Sequence, residues 1–189
     1  DVFVGNEHLV GSEFAPCQLF RNNGNGTFTD IARSAGVTNG RFAKGVAWGD
    51  YDGDDDPDLY VSNLGSDNRL FRNEGDGTFV DVARDLGVTG PQGSFPIWFW
   101  DFDNDGNLDL FVSSYEWRRG NLQAVASSQL GLPVDIEPLR LYRGDGNGNF
   151  EDVAASQNLT RINLPMGANY GDLDNDGFLD FYLGTGYPD

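Results

Sequence analysis

The most informative stretch of the sequence is Asp101-Phe102-Asp103-Asn104-Asp105-Gly106-Asn107-Leu108-Asp109, followed directly by Leu110-Phe111-Val112-Ser113. It places carboxylates at positions 1, 3, 5 and 9 of a nine-residue loop, with a glycine at position 6. Carboxylates at this spacing, with a glycine that permits a sharp backbone turn, are what a hard cation such as calcium requires. The stretch therefore predicts a metal-binding loop that leads straight into a β-strand.

The same loop occurs three times, as loop 1 (residues 50–58), loop 2 (101–109) and loop 3 (172–180). Loop 1 has Asp55 at position 6, where the other two loops have glycine. Position 7 varies in residue type, so we expect it to bind metal through its backbone carbonyl. The predicted metal ligands, at positions 1, 3, 5, 7 and 9, are Asp50, Asp52, Asp54, Asp56 and Asp58 in loop 1, Asp101, Asp103, Asp105, Asn107 and Asp109 in loop 2, and Asp172, Asp174, Asp176, Phe178 and Asp180 in loop 3.

Two other interpretations of these loops are weaker. An EF-hand begins in the same way but ends with a bidentate Glu at position 12, which here is Val61, Val112 or Leu183. Asp and Gly also favour ordinary turns, but a turn needs only one or two such residues. The triple occurrence favours about three bound ions. Calcium is favoured over magnesium, which demands a stricter coordination geometry.

A second motif repeats in step with the loops. Residues 19–32 (LFRNNGNGTFTDIA) recur as residues 70–83 (LFRNEGDGTFVDVA) and, less faithfully, as residues 141–154 (LYRGDGNGNFEDVA). Both the motif and the loop are displaced by 51 residues and then by 71. Loop and motif therefore belong to one repeating unit.

Each unit is predicted to form four short antiparallel strands. In the middle unit the strands lie near residues 59–63, 69–73, 78–83 and 95–100, with a Gly-rich turn at 74–77 and a brief helical turn or loop at 84–88. The units span approximately residues 1–57, 58–108 and 109–179, and residues 180–189 start a further one. The whole chain is thus one all-β repeat region of propeller-type, four-stranded blades.

The third unit is about 20 residues longer than the second. The extra length lies between Tyr115 and Leu139, where residues 122–132 are expected to form a short helix. Trp117, Arg118 and Arg119 in this insertion would suit a sugar ring or an acidic partner. The simpler interpretation, which we favour, is that the tryptophan covers a hydrophobic seam and the arginines pair with carboxylates.

Composition excludes several classes of function. The formal net charge is -18, from 30 acidic and 12 basic residues, which argues against nucleic acid and anionic membranes as partners. No apolar run approaches a membrane span. The one cysteine, Cys17, and the one histidine, His8, have no suggestive partners, so a nucleophilic catalytic site is not expected. Asn25 and Asn158 begin N-glycosylation sequons.

Together, the loop and the 14-residue motif resemble the FG-GAP-like or VCBS repeats, in particular those of the group that includes cartilage acidic protein and ASPIC/UnbV. The resemblance covers almost the whole chain and implies propeller blades of the integrin α-subunit kind, with calcium in their hairpin loops. Asp1 aligns with Asp58, so we expect it at position 9 of an incomplete loop. About three units are too few to close a ring of four to eight blades. The chain is therefore expected to be part of a larger propeller, or else copies associate end to end through their terminal strands.

These observations predict a calcium-stabilised, extracellular or cell-surface module for interaction, adhesion or structure, with no enzymatic activity. Its partner would be a protein or a carbohydrate. One alternative is a lectin-like propeller or one that acts on polysaccharide as a lyase or dehydratase. Another is a subunit of an end-to-end extracellular fibre.

Overall fold

The computed structural model describes residues 1–7, 15–115 and 121–185. Within them the chain forms thirteen short β-strands and one helix, α1, at Asn121–Gln129. The strands β1 to β13 span Val2–Val4, Gln18–Asn22, Phe28–Asp30, Ala43–Gly49, Asp58–Asn63, Arg69–Asn73, Phe79–Asp81, Ser94–Trp100, Asp109–Ser114, Arg140–Gly144, Phe150–Asp152, Pro165–Gly171 and Asp180–Thr185.

The strands assemble into four antiparallel sheets in which neighbours along the chain are neighbours in space. Sheet I contains β1 to β3, sheet II β4 to β7, sheet III β8 to β11, and sheet IV β12 and β13. Sheets II and III have the four strands expected of a propeller blade. The predicted all-β, blade-type fold is therefore confirmed, and the described residues form no closed ring.

The strands are grouped differently from the sequence-based prediction. Strand β8 was expected to end the same four-strand group as β5 to β7, but it pairs instead with β9 across loop 2, with Trp100 opposite Asp109. Each acidic loop is thus the connection of a hairpin inside one sheet. The predicted grouping is wrong by one strand, because the period of a repeat does not show at which strand each sheet begins. The repeat bounds themselves stay a prediction.

The sheets stack side by side, and each interface between them is a separate hydrophobic core. Alternate residues of a strand point to opposite faces of the sheet. Leu59 and Val61 of β5 therefore join the cluster against sheet I, while Tyr60 joins the cluster against sheet III. Strand β9 repeats the arrangement, with Leu110 packed toward sheet II and Phe111 toward sheet IV. Both strands are buried along their whole length because a sheet covers each face.

The first strands of sheets II, III and IV lie against one another, β4 against β8 and β8 against β12. The approach of β8 to β4 is so close that a Cβ atom on Gly49 would lie 2.7 Å from the Phe99 ring. Trp100 occupies the position equivalent to Gly49 and is 4% exposed. Its ring packs on Tyr170 and Phe181 of sheet IV, with centroids 5.7 Å away in each case.

The insertion of the third unit forms the predicted short helix, α1, between β9 and β10. The side chain of Ser128 links α1 to the segment that precedes β12. The Ser128 Oγ accepts a hydrogen bond of 3.0 Å from the Ile162 N–H. Among the described residues, no helix is long and apolar enough to cross a membrane.

We expect Tyr60→Phe to lower the free energy of unfolding by about 1–2 kcal/mol. The Tyr60 hydroxyl is fully buried and donates a hydrogen bond of 2.6 Å to the Val88 carbonyl, which would lose its partner. Urea denaturation measures the change. Tyr182→Phe is the matched control, because Tyr182 occupies the same repeat position but is 58% exposed. Equal losses in the two variants would contradict this account of the core.

Candidate metal centres

Each acidic loop closes a hairpin, and its backbone is bent at the same two positions. The residues at position 4 (Gly53, Asn104 and Asn175) and at position 6 (Asp55, Gly106 and Gly177) all have positive φ, between 58° and 91°. Glycine, asparagine and aspartate tolerate this left-handed conformation better than other residues. Loop 1 therefore keeps the same backbone shape without glycine at position 6, because Asp55 itself adopts the left-handed conformation, with φ of 71°.

The carboxylate at position 1 organises the backbone of its own loop. Asp101 accepts hydrogen bonds from the backbone N–H groups of Asp105 and Gly106, at 3.0 and 2.9 Å. Asp50 accepts from three N–H groups of loop 1, and Asp172 accepts from two in loop 3. These donors stabilise a negative charge at the start of each loop.

The carboxylate at position 9 ties the loop to the next strand of the same sheet. Asp58 accepts from the N–H of Tyr51 at 3.1 Å and from that of Asn73 at 2.8 Å. Asp109 does the same with Phe102 and Gly144, at 2.9 Å each. Asp1 accepts from Asn22 at 2.9 Å, which is the equivalent contact in sheet I. The alignment of Asp1 with position 9 is thus supported by its hydrogen bond.

The carboxylates at positions 1, 3 and 9 converge in every loop. In each of the groups Asp50, Asp52 and Asp58, Asp101, Asp103 and Asp109, and Asp172, Asp174 and Asp180, one oxygen from each residue lies within 4.8 Å of the others. The Oδ1 atoms of Asp52 and Asp103 are buried and have no hydrogen-bond partner. A buried, unpaired carboxylate oxygen is costly unless a cation binds it. An oxygen-binding cation such as calcium fits loops 1 and 2 on this observation.

The carboxylates at position 5 lie outside these three-residue groups. Asp54, Asp105 and Asp176 each accept a hydrogen bond of 2.8–2.9 Å from the backbone N–H of position 7. Among the described residues, no donor is hydrogen-bonded to the backbone carbonyl oxygen of Asp56, Asn107 or Phe178 at position 7. This is compatible with the predicted role of these oxygens as metal ligands. Binding of metal at positions 5 and 7 stays a prediction.

The Gly-rich turn of the 14-residue motif lies against position 7, a contact that the sequence analysis missed. A Cβ atom at Gly75 would lie 2.7 Å from Asp56 Oδ2, and one at Gly146 would lie 2.2 Å from Asn107 Oδ1. The turn of each sheet thus leaves room for its own acidic loop. The constant spacing between loop and motif was the available signal, but spacing alone does not show contact.

Burial and mutual repulsion disfavour charge on these carboxylates when no cation is present. Burial raises the pKa of Asp58 to about 7 and that of Asp109 to about 6, although two backbone N–H donors oppose each rise. The pKa of Asp52 is also raised, first by burial and then by the charges of Asp54 and Asp50. A bound divalent cation would reverse both effects by compensating the charge.

The residues considered for catalysis and partner binding give no second site among the described residues. Cys17 is 1% exposed and accepts weak hydrogen bonds from Asn6 and Asn39, so it is a core residue. His8, Trp117, Arg118 and Arg119 lie outside the described residues. Asn25 and Asn158 are both exposed, and Asn25 Oδ1 accepts a 2.6 Å hydrogen bond from the Thr27 hydroxyl of its sequon. Glycosylation of either asparagine stays a prediction.

The fold and the loops define a class of protein: a stack of antiparallel blades in which sheets II, III and IV each carry an acidic hairpin loop between their first two strands. Comparison with known families agrees. The model of the FG-GAP-like repeat matches residues 1–61, 50–112 and 124–183, and the chain belongs to this family.

Curated relatives are similar over nearly the whole chain. Cartilage acidic protein 1 from Mus musculus is 29% identical over 191 residues, that from Xenopus tropicalis 28% over 190, and that from Homo sapiens 29% over 196. Each alignment covers 98% of this chain but 26% of the relative. The chain thus spans about a quarter of the length of these relatives.

We expect the stability of the metal-free chain to fall as the pH rises from about 4 to about 7. The folded-state pKa values of Asp58 and Asp109, about 7 and about 6, lie above the ordinary value of 3.8. The folded state therefore binds more protons than the unfolded state in this range, and stability decreases with pH. Asp30, Asp76 and Asp145 have lowered pKa values through hydrogen bonds, so their effect falls below this range.

Thermal unfolding in EDTA across this pH range tests the expectation. Asp58→Asn cannot titrate and should flatten the dependence, whereas Asp85→Asn, an exposed substitution outside the loops, should keep the wild-type slope. A melting temperature that rises between pH 5 and pH 7 in EDTA would show that the loop carboxylates do not control the metal-free stability.

Proposed function

We propose that this chain is a calcium-stabilised, extracellular interaction module whose acidic loops hold about three Ca²⁺ ions. The observation that supports it best is the pair of buried, unpaired oxygens on Asp52 and Asp103, each within a group of three converging carboxylates. A divalent cation would compensate the repulsion and lock each hairpin in the shape that its backbone already has. Loop 3 would bind more weakly, because its three carboxylates are exposed.

An extracellular location follows from the same chemistry. Calcium outside the cell reaches millimolar concentrations, at which even weak oxygen sites are filled. The name of the relatives, cartilage acidic protein, refers to a tissue and to acidity, and this chain shares the acidity with a net charge of -18. We propose that the module acts in adhesion or matrix structure and recognises a protein or carbohydrate, with no nucleic acid or membrane as a partner.

A non-catalytic role is part of the proposal. The carboxylates that are candidates for acid or base catalysis accept hydrogen bonds from backbone N–H donors within the hairpin loops. A substrate bound there would compete with the cation for the same oxygen atoms. The lectin-like alternative depends on Trp117, Arg118 and Arg119, which lie outside the described residues. The polysaccharide-acting alternative needs a cleft with a free catalytic base, and the sequence displays none. No observation on the described residues favours them over the interaction module.

Calcium should raise the melting temperature of the full chain strongly, and excess EDTA should remove the gain. At a free calcium concentration 100 times the dissociation constant, one site stabilises the fold by about 2.7 kcal/mol. Dissociation constants on the order of 10⁻⁴–10⁻³ M are expected for an extracellular module. Titration calorimetry would count about three sites, and magnesium should bind less tightly.

Single substitutions assign the sites. Asp52→Asn and Asp103→Asn should each remove one binding event, whereas the exposed control Asp85→Asn should remove none. Circular dichroism in EDTA shows whether each variant retains its fold. An unchanged melting temperature with calcium, or unchanged stoichiometry in both loop variants, would contradict the proposal and leave the loops as ordinary acidic turns.

Association of copies end to end, as in the fibre alternative, stays a prediction. Sedimentation velocity over a range of protein concentrations tests it, and a chain that stays monomeric at every concentration would exclude it.

A further inference from the structure

Loops 2 and 3 belong to different sheets but are linked by a side-chain hydrogen bond. The Nδ2 group of Asn104, at position 4 of loop 2, donates a hydrogen bond of 2.9 Å to the Gly177 carbonyl, at position 6 of loop 3. The two residues are 73 positions apart in the sequence. The contact therefore depends on how sheets III and IV stack and not on the local shape of either loop.

Both ends of this contact lie next to the candidate ligands. Asn104 directly follows Asp103, whose Oδ1 is buried without a partner. The N–H of Gly177 donates a hydrogen bond of 3.1 Å to Asp172, the position-1 carboxylate of loop 3. Both Asn104 and Gly177 have positive φ and lie at the two bends that shape their loops. A change in the backbone conformation of one loop would thus shift a candidate metal ligand of the other.

The equivalent residues in the other loops lack this bond. Loop 1 has Gly53 at position 4, which has no side chain and lies against the Gly146 carbonyl of a hairpin turn instead of a second acidic loop. Loop 3 has Asn175 at position 4, whose amide makes no hydrogen bond among the described residues. Among the described residues, the link therefore joins loops 2 and 3, and Gly53 and Asn175 are natural comparisons for Asn104.

We propose that Asn104 couples calcium binding in loops 2 and 3, so that an ion in one loop raises the affinity of the other. The inference rests on the proposed function, because it needs calcium in both loops. Binding in either loop orders the backbone that holds the hydrogen bond, and the second ion then meets a partner loop that is already ordered. Linkage requires the effect to be the same in both directions. Loop 1 binds independently.

A mutant cycle on the full chain measures this coupling. Asp52→Asn is present throughout to remove loop 1, and calcium binding to loop 2 is followed by titration calorimetry with loop 3 intact or inactivated by Asp174→Asn. We expect Asp174→Asn to weaken binding at loop 2 by about fivefold, a typical lower value for coupling between sites. In the Asn104→Gly background this fivefold difference should disappear. Glycine suits the positive φ and is the residue of loop 1 at this position.

Asn175→Gly is the matched control, because it makes the same change at the same loop position without removing a bond between loops. It should leave the fivefold difference intact. Melting temperatures in EDTA confirm that each variant is folded. Two results would overturn the inference without contradicting the proposed function. One is a calcium affinity of loop 2 that does not depend on the state of loop 3, and the other is an equal loss of coupling in Asn104→Gly and Asn175→Gly. Absence of calcium binding in the wild-type chain would overturn both the inference and the proposed function.

Discussion

The structure depends on one electrostatic constraint, which is the convergence of three carboxylates inside each hairpin loop. Backbone N–H groups partly compensate the charges at positions 1 and 9, and they fix the loop between the first two strands of a sheet. At position 3, Asp52 Oδ1 and Asp103 Oδ1 are buried without partners, whereas Asp174 Oδ1 of loop 3 accepts a hydrogen bond of 3.2 Å from the Asp176 N–H. The loop geometry therefore remains electrostatically incomplete until a cation supplies the missing charge.

Hydrophobic packing between the sheets provides the burial of apolar surface that the acidic loops do not provide. Each full sheet is buried on both faces, so β5 and β9 have no solvent-facing side. After the initial Asp, the sequence of each strand is a continuous run of apolar and small polar residues. The position-9 carboxylate joins the two systems, since Asp58 and Asp109 are fully buried and accept hydrogen bonds from the next strand of their own sheets. Loop and core are thus mechanically connected, which is why a metal in the loop is expected to stabilise the whole blade.

This arrangement is also the physical basis of the proposed role in recognition. The loops repeat at one edge of successive blades, so their charges and any bound ions form a row whose spacing is set by the stack. Contacts between blades, such as that of Asn104 with Gly177, relate one loop to the next. A surface of this kind offers a regular, rigid pattern of charge to a partner, whereas its acidic groups are engaged in holding the backbone.

The sequence by itself determined the repeat, the all-β class, most strand positions and the loop carboxylates, because strand alternation, glycine turns and ligand spacing are local properties. It also placed the short helix of the insertion. Only the tertiary structure decided that β8 pairs with β9 across loop 2, that positions 1, 3 and 9 converge while position 5 turns back to the backbone, and that Asn104 reaches another sheet. These depend on hydrogen-bond register and on the packing of one sheet against the next, which connect residues far apart in the chain and leave no local trace in its pattern.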